Sequence, residues 1–175
     1  DKNQSVERVA ILGITKNGIS IGLSLKRKFP TWKVFAPAKF SNNDQQIEWF
    51  DDSTTTKAGE LFKTNDALIC IFSLGAVIRL VAPHMRDKKT DPAVVVIDDA
   101  GKFAISTLSG HLGGANQLTE EIAKALAAHA AIAIETAQLI EELRRHRDQL
   151  LEENTQLWQE VERKFSTQSI LGTSA

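Results

Sequence analysis

The sequence predicts an α/β fold: a small, mostly parallel sheet with helices on both faces, followed by a long C-terminal helix. Three observations predict it. Uncharged apolar runs recur at Val9–Leu12, Ala67–Phe72 and Ala93–Ile97, as in strands covered on both faces. The first two each lead through a glycine-containing break into apolar residues at helical spacing, the alternation that builds parallel sheets. After Gly114 no glycine or proline appears until Gly172, and good helix formers dominate between them.

Composition narrows the class. A chain of 175 residues, 42% apolar and 25% charged, holds one ordinary globular domain and an appendage. A net charge of −1 provides no bulk basic field to attract nucleic acid or acidic lipid. The single cysteine, Cys70, lies inside an apolar strand, so no internal disulfide is expected and the thiol reads as buried and inert. The opening DKNQSVER is polar, without the apolar core of a secretory leader. No apolar run approaches the roughly 20 residues a membrane span needs. The expectation is a cytoplasmic protein with no membrane contact.

Taken in order, Arg8–Ile14 reads as the first strand. Gly13 and Gly18 flank Thr15-Lys16-Asn17, and a helix follows through Ile19, Ile21, Leu23 and Leu25 to Lys28. Such a turn can cradle a phosphate on free helix N–H groups. Its spacing is not G-x-G-x-x-G, however, and no acidic residue ends the second strand to hold a ribose, so a tight turn is the reading. Pro30 stops the helix, and Trp32–Phe35 makes a second strand ended by Pro37. Lys39–Thr56 says least; its Ile47, Trp49 and Phe50 suggest a loop packed by aromatics. Lys57–Lys63 reads as a short helix facing the sheet through Leu61 and Phe62.

Ala67–Phe72 is then a central strand, broken at Ser73-Leu74-Gly75 and followed by a helix carrying Val77, Ile78 and Val81. Arg86–Pro92 is a polar connection. Val94–Ile97 and Phe103–Ile105, joined by Asp98-Asp99-Ala100-Gly101-Lys102, read as a hairpin at the sheet edge. The predicted organisation is an α/β domain over 1–126, a long linker or coiled-coil helix over 127–165, and a flexible tail over 166–175. Placing Ala133, Ile140, Arg147, Asn154 and Val161 at heptad position a puts Leu143, Leu150 and Leu157 at d. Leucine at d with a lone asparagine at a favours a parallel two-stranded pairing, so a homodimer through residues 133–161 is expected. A helix packed back on its own domain is the alternative.

The segments VAPHMRDKKTDPAVVVIDDAGKFAIS and LSGHLGGANQLTEEIAKAL closely resemble the N-terminal region of the cobalamin-biosynthesis G family, the cobalt-precorrin-5A hydrolases. The resemblance implies an enzyme of the anaerobic vitamin B12 pathway that opens a lactone on a cobalt-bearing tetrapyrrole and releases acetaldehyde. Cobalt then arrives with the substrate, and the chain needs no cofactor of its own. The last 48 or so residues, AHAAIAIETAQLIEELRRHRDQLLEENTQLWQEVERKFSTQSILGTSA, resemble the linker helix between a GAF sensor and the ATPase of sigma-54-dependent activators. They contain no Walker loop, so no ATPase activity is carried over. This second resemblance supports an alternative: a corrinoid-sensing module that signals through a dimeric helix. A third is an assembly piece with no retained ligand.

Lactone opening needs an activated water, a cradle for the oxyanion and groups that hold carboxylate arms. His111 is the candidate general base, since imidazole titrates near neutrality without special tuning. Ser109 joins it as a catalytic candidate. Gly113 and Gly114, at a helix start, can offer N–H groups to an oxyanion or carboxylate, with Gly110 and Asn116 beside them to orient the ligand. His84, Arg86, Lys88 and Lys89, in a loop with Asp87 and Asp91, form a cationic candidate surface for a polycarboxylate. The bland reading of SGHLGGAN is a helix cap with glycines for close packing; that of the loop is a solvated turn. Arg79 is a further possible clamp, though it reads better as a surface arginine. No His/Cys cluster has metal-ligand spacing, and His129 and His146 read as ordinary helix-face residues.

Overall fold

In the computed structural model, which describes residues 6–87, 89–110 and 114–171, six strands form one sheet: Val9–Gly13 (β1), Lys33–Pro37 (β2), Ile47–Phe50 (β3), Ala67–Ile71 (β4), Ala93–Ile97 (β5) and Ala104–Leu108 (β6). Their lateral order is β3-β2-β1-β4-β5-β6. All neighbours pair in parallel except β5 and β6, which are antiparallel. The order reverses between β1 and β4, the switch point of a doubly wound sheet.

The apolar runs explain the core. β1, β4 and β5 are buried along their whole length, because both faces are covered. Ile11, Ile69 and Val95 lie side by side in register and face one layer with Val34, Ile71 and Ile97. Ala10, Leu68, Cys70, Val94 and Val96 face the other. On the first face pack Lys16–Lys28 (α1), through Ile19 and Leu25, and the start of Ala115–Leu171 (α4), through Ala115, Leu118, Ile122 and Ala125. On the second pack Thr54–Thr64 (α2), through Ala58, Leu61 and Phe62, and Leu74–Val81 (α3), through Val77 and Val81. Each fully buried Leu or Ile contributes about 1.5–3 kcal/mol by leaving water. Burial also pushes the Cys70 thiol up from its ordinary range, the inert state expected of it.

Caps fix the helix starts. The Thr15 hydroxyl accepts the Gly18 N–H at 2.9 Å and opens α1; Ser53 accepts from Thr56 N at 3.1 Å and opens α2. After α1, Phe29 and Trp32 stack with ring centroids 4.0 Å apart and close the turn into β2.

Strands β2, β3 and β6 differ from the sequence-based expectation, β6 by running Ala104–Leu108 rather than Phe103–Ile105. Residues 47–50, read as loop, form edge strand β3: Ile47 and Phe50 are buried while Glu48 faces out and pairs with Lys33 at 3.0 Å. Trp49 Nε1 donates to Asp44 O at 3.2 Å, tying the strand to its approach. Strand β2 begins at Lys33 rather than Trp32 and runs through Ala36 to Pro37, which ends it as expected, beside Phe50; a proline is tolerated where no further ladder bond is needed from its nitrogen.

The molecule divides into a compact unit ending at His129 and a second unit beginning at Ala130. In the second, α4 continues as helix to Leu171, and the described side chains from Ala130 to Phe165 are exposed. Among the described residues no helix is long and apolar enough to cross a membrane.

Candidate functional site

Strand direction decides where the sequence candidates lie. Because β6 runs antiparallel, Leu108 ends beside Val94, and the chain leaves the sheet at the edge where the parallel strands begin. Thr107 is an added residue there, at the register shift opposite Val94 and Val95, and its hydroxyl donates to Ile105 O at 3.1 Å. Ser109 and Gly110, and with them Gly114, Ala115 and Asn116 at the start of α4, therefore sit at the N-terminal edge of the sheet. A Cβ on Gly114 would lie 3.4 Å from Val6, just before β1.

Ser109 and Gly110 bond to the first turn of α4. Ala115 N donates to Ser109 O at 3.3 Å and Asn116 N to Gly110 O at 3.2 Å. The Ser106 hydroxyl donates to Asn116 Oδ1 at 2.6 Å, and a Cβ on Gly110 would stand 2.7 Å from the same oxygen. Gly114, at φ +80°, makes the left-handed step into the helix that glycine makes at least cost. Ser109 is also left-handed, at φ +56°, a conformation an L-residue with a side chain adopts only when its surroundings hold it. What holds it is a bond across loops: Ser109 Oγ donates to Asp91 O at 3.0 Å.

The partner loop is built by its acids. Asp91 accepts Arg86 N on both carboxylate oxygens, at 3.1 and 3.0 Å. Asp87 Oδ1 accepts Lys89 N at 2.9 Å, while its carbonyl takes the amides of Thr90 and Asp91 at 3.0 and 2.8 Å. Both carboxylates are thus turned onto backbone N–H groups. Among the described residues, the Arg86 and Lys89 side chains have no ion-pair partner and stand exposed. A loop that is nearly balanced by composition presents cations outward.

The structure accordingly joins Arg86, Lys89, Ser109, Gly110, Gly114 and Asn116 at one edge. His84 ends a 3-10 turn over Ala82–His84, and its ring lies against α2. There it fills the space a Cβ on Gly59 would need and sits 6.4 Å from the Phe62 ring. His111, Gly113 and Lys88 lie outside the described residues. Arg79 turns back on its own helix, with Nη1 3.4 Å from Gly75 O. Sequence reasoning gave no role to Gly59, although a glycine inside a helix is itself a signal of close approach. It also missed that Asp91 links the two segments. Among the described residues no group of three or more His, Cys, Asp or Glu side chains could hold a metal ion.

On the same edge Asp66, before β4, accepts Arg8 N at 2.8 Å and Arg8 Nη2 at 2.8 Å. The guanidinium beside it holds the Asp66 carboxyl below its ordinary range, and the carboxylate raises Arg8. At the opposite edge, where α/β sheets usually take ligands, two loops of the chain meet. There Asp99, in the β5–β6 turn, accepts the Thr15 hydroxyl at the start of α1, and the same turn brings Gly101 close to Ile21.

Comparison with known proteins gives this geometry a lineage. Residues 56–137 match the family model for the cobalamin synthesis G N-terminal domain, a span that includes both joined loops and ends within α4. A cobalt-precorrin-5A hydrolase from Priestia megaterium is 50% identical over 126 residues, covering 70% of this chain and 34% of that protein. Another from Salmonella typhimurium is 38% identical over 130 residues, covering 74% and 36%. A solved structure of a cobalamin biosynthesis protein G homolog from Sulfolobus solfataricus shares the fold at a TM-score of 0.53 and 24% identity, covering 69% of this chain and 35% of that one. The chain spans about a third of the length of the curated relatives it matches. The α/β unit of this chain is thus similar to the N-terminal region of the cobalamin-biosynthesis G family.

Proposed function

We propose that the α/β unit binds a cobalt-bearing tetrapyrrole at the N-terminal edge of its sheet and takes part in opening the lactone of cobalt-precorrin-5A, with release of acetaldehyde. The observation that supports this most is the 50% identity to a cobalt-precorrin-5A hydrolase. The outward cations at Arg86 and Lys89, on the loop that Ser109 joins through Asp91, supply the charge that a polycarboxylate needs. In this reading Arg86, Lys88 and Lys89, with His84 at the base of their loop, hold carboxylate arms. His111 removes a proton from the attacking water. The amides at Gly113 and Gly114 receive the oxyanion, and Gly110 and Asn116 orient the ring. The acyl C–O bond then breaks to leave a carboxylate and a secondary alcohol; the alcohol loses its proton as the adjoining carbon–carbon bond breaks, acetaldehyde leaves, and the bond's electron pair stays on the macrocycle, which takes up a proton from solvent. Cobalt belongs to the substrate, and the setting is cytoplasmic.

The test is to incubate the purified chain with cobalt-precorrin-5A and assay acetaldehyde. Release that disappears in His111→Ala, with ligand binding kept within about tenfold, supports the assignment. If release is unaffected by that change, His111 is not the base; if none occurs but the ligand binds, this unit is a binding module.

The second unit is read as a pairing element. Leu143, Leu150 and Leu157 are 61–68% exposed in the single chain, and they recur at d with Asn154 at a. That pattern supports a parallel homodimer through residues 133–161.

A further inference from the structure

We propose that Ser109 is a positioning residue, an anchor rather than a reacting group, and that its partner Asp91 makes one binding surface of two loops. This rests on the tetrapyrrole-binding reading above and assigns the division of labour within that site. The Ser109 hydroxyl proton is committed to Asp91 O at 3.0 Å. Asp91 in turn holds the Arg86 amide on its carboxylate. One residue thus ties the cationic loop to the segment that opens α4, with its carbonyl on one side and its carboxylate on the other. The left-handed backbone of Ser109 is where glycine is the natural choice. A serine there costs backbone energy, and what it adds is a hydroxyl that reaches Asp91 O. A role confined to the turn would be better filled by glycine. The cross-loop bond sets the distance from Arg86 to Gly110 and Asn116, and so the spacing of the groups that meet the ligand's carboxylates.

Ser109→Gly separates the two roles, because it removes the hydroxyl while easing the backbone. The probe is cobalt uroporphyrin, an octacarboxylate cobalt tetrapyrrole, titrated into the full chain and followed by absorbance. Thermal unfolding is measured on the same samples. The expected result is a Tm unchanged or raised, together with affinity weakened about tenfold. Amide exchange at Arg86 should be faster, since the loop has lost its tie. Asp91→Asn keeps both the carbonyl and a side-chain acceptor for Arg86 N and should bind within about threefold of wild type; Asp91→Ala should fall with Ser109→Gly. Wild-type affinity in Ser109→Gly would overturn the inference and leave the site reading standing. Failure of the wild-type chain to bind the probe would overturn the site reading, and the inference with it.

Discussion

Asp99, in the turn between β5 and β6, accepts the hydroxyl of Thr15, the residue that caps α1. The two strands they follow, β1 and β5, are not neighbours; β4 lies between them. The contact therefore crosses the switch-point crevice, where a doubly wound sheet most often holds its ligand. A carboxylate already stands at the positive end of α1, so a phosphate there would meet like charge. The expectation of a tight turn rests on the glycine spacing and the missing acid after the second strand; the Asp99 carboxylate is a separate argument for it.

Thr15→Ala should lose the cap and the cross-crevice bond together. The cap alone is worth about 1 kcal/mol. Urea unfolding of Thr15→Ala, Asp99→Ala and the double variant should show a coupling of about 0.5–1.5 kcal/mol. Strict additivity of the two changes would mean that the contact contributes nothing in solution.

Gly59 and His84 make a matched pair. A methyl group at 59 enters the space of the imidazole, so Gly59→Ala should destabilise by about 1–3 kcal/mol despite alanine's better helix propensity. Adding His84→Ala should recover most of that loss by vacating the space. If Gly59→Ala is instead stabilising, the ring is not seated against α2.

The Arg8–Asp66 pair makes stability depend on acid. The Asp66 carboxyl is held below its ordinary value of 3.8, so its contribution is present above that value. It fades as the pH falls through the depressed folded-state value, where the folded carboxylate takes up its proton. Asp66→Asn should flatten the denaturation midpoint against pH in that acid window while leaving its shape near neutrality unchanged. An identical acid profile in the variant would assign the acid sensitivity to other carboxylates.

Helix α4 should answer differently along its length. Ile122 is fully buried against the sheet, and Ile122→Ala should cost about 2–5 kcal/mol in unfolding experiments on the α/β unit. Leu150 is 64% exposed. Leu150→Asp should leave that unfolding transition in place and reduce the mass measured by light scattering from dimer to monomer, because a charge cannot be buried unpaired in a seam. An unchanged mass would reject pairing through this face.

The parts legible in sequence are those where burial is unconditional. β1, β4 and β5 announce themselves because both faces are covered, and α4 because nothing in its composition breaks a helix. β3 was hidden because an edge strand of four residues needs only Ile47 and Phe50 to face inward, while Glu48 reads as loop. The candidate site was legible as two segments, 84–91 and 109–116, but not as one place. Their union depends on the antiparallel turn into β6, the extra residue Thr107 in that strand, and a serine hydroxyl that reaches Asp91. For His84 the sequence shows charge and titratability but not the ring's seat against α2, across from Gly59.

The measurement that bears most directly on tetrapyrrole binding at the N-terminal edge is an absorbance titration of the full chain with cobalt-precorrin-5A, run beside Arg86→Ala and Lys89→Ala. Binding at that edge predicts a saturable spectral change in the wild-type chain, weakened about tenfold or more when both cations are removed. Spectra that simply add, or a change indifferent to Arg86 and Lys89, would contradict it.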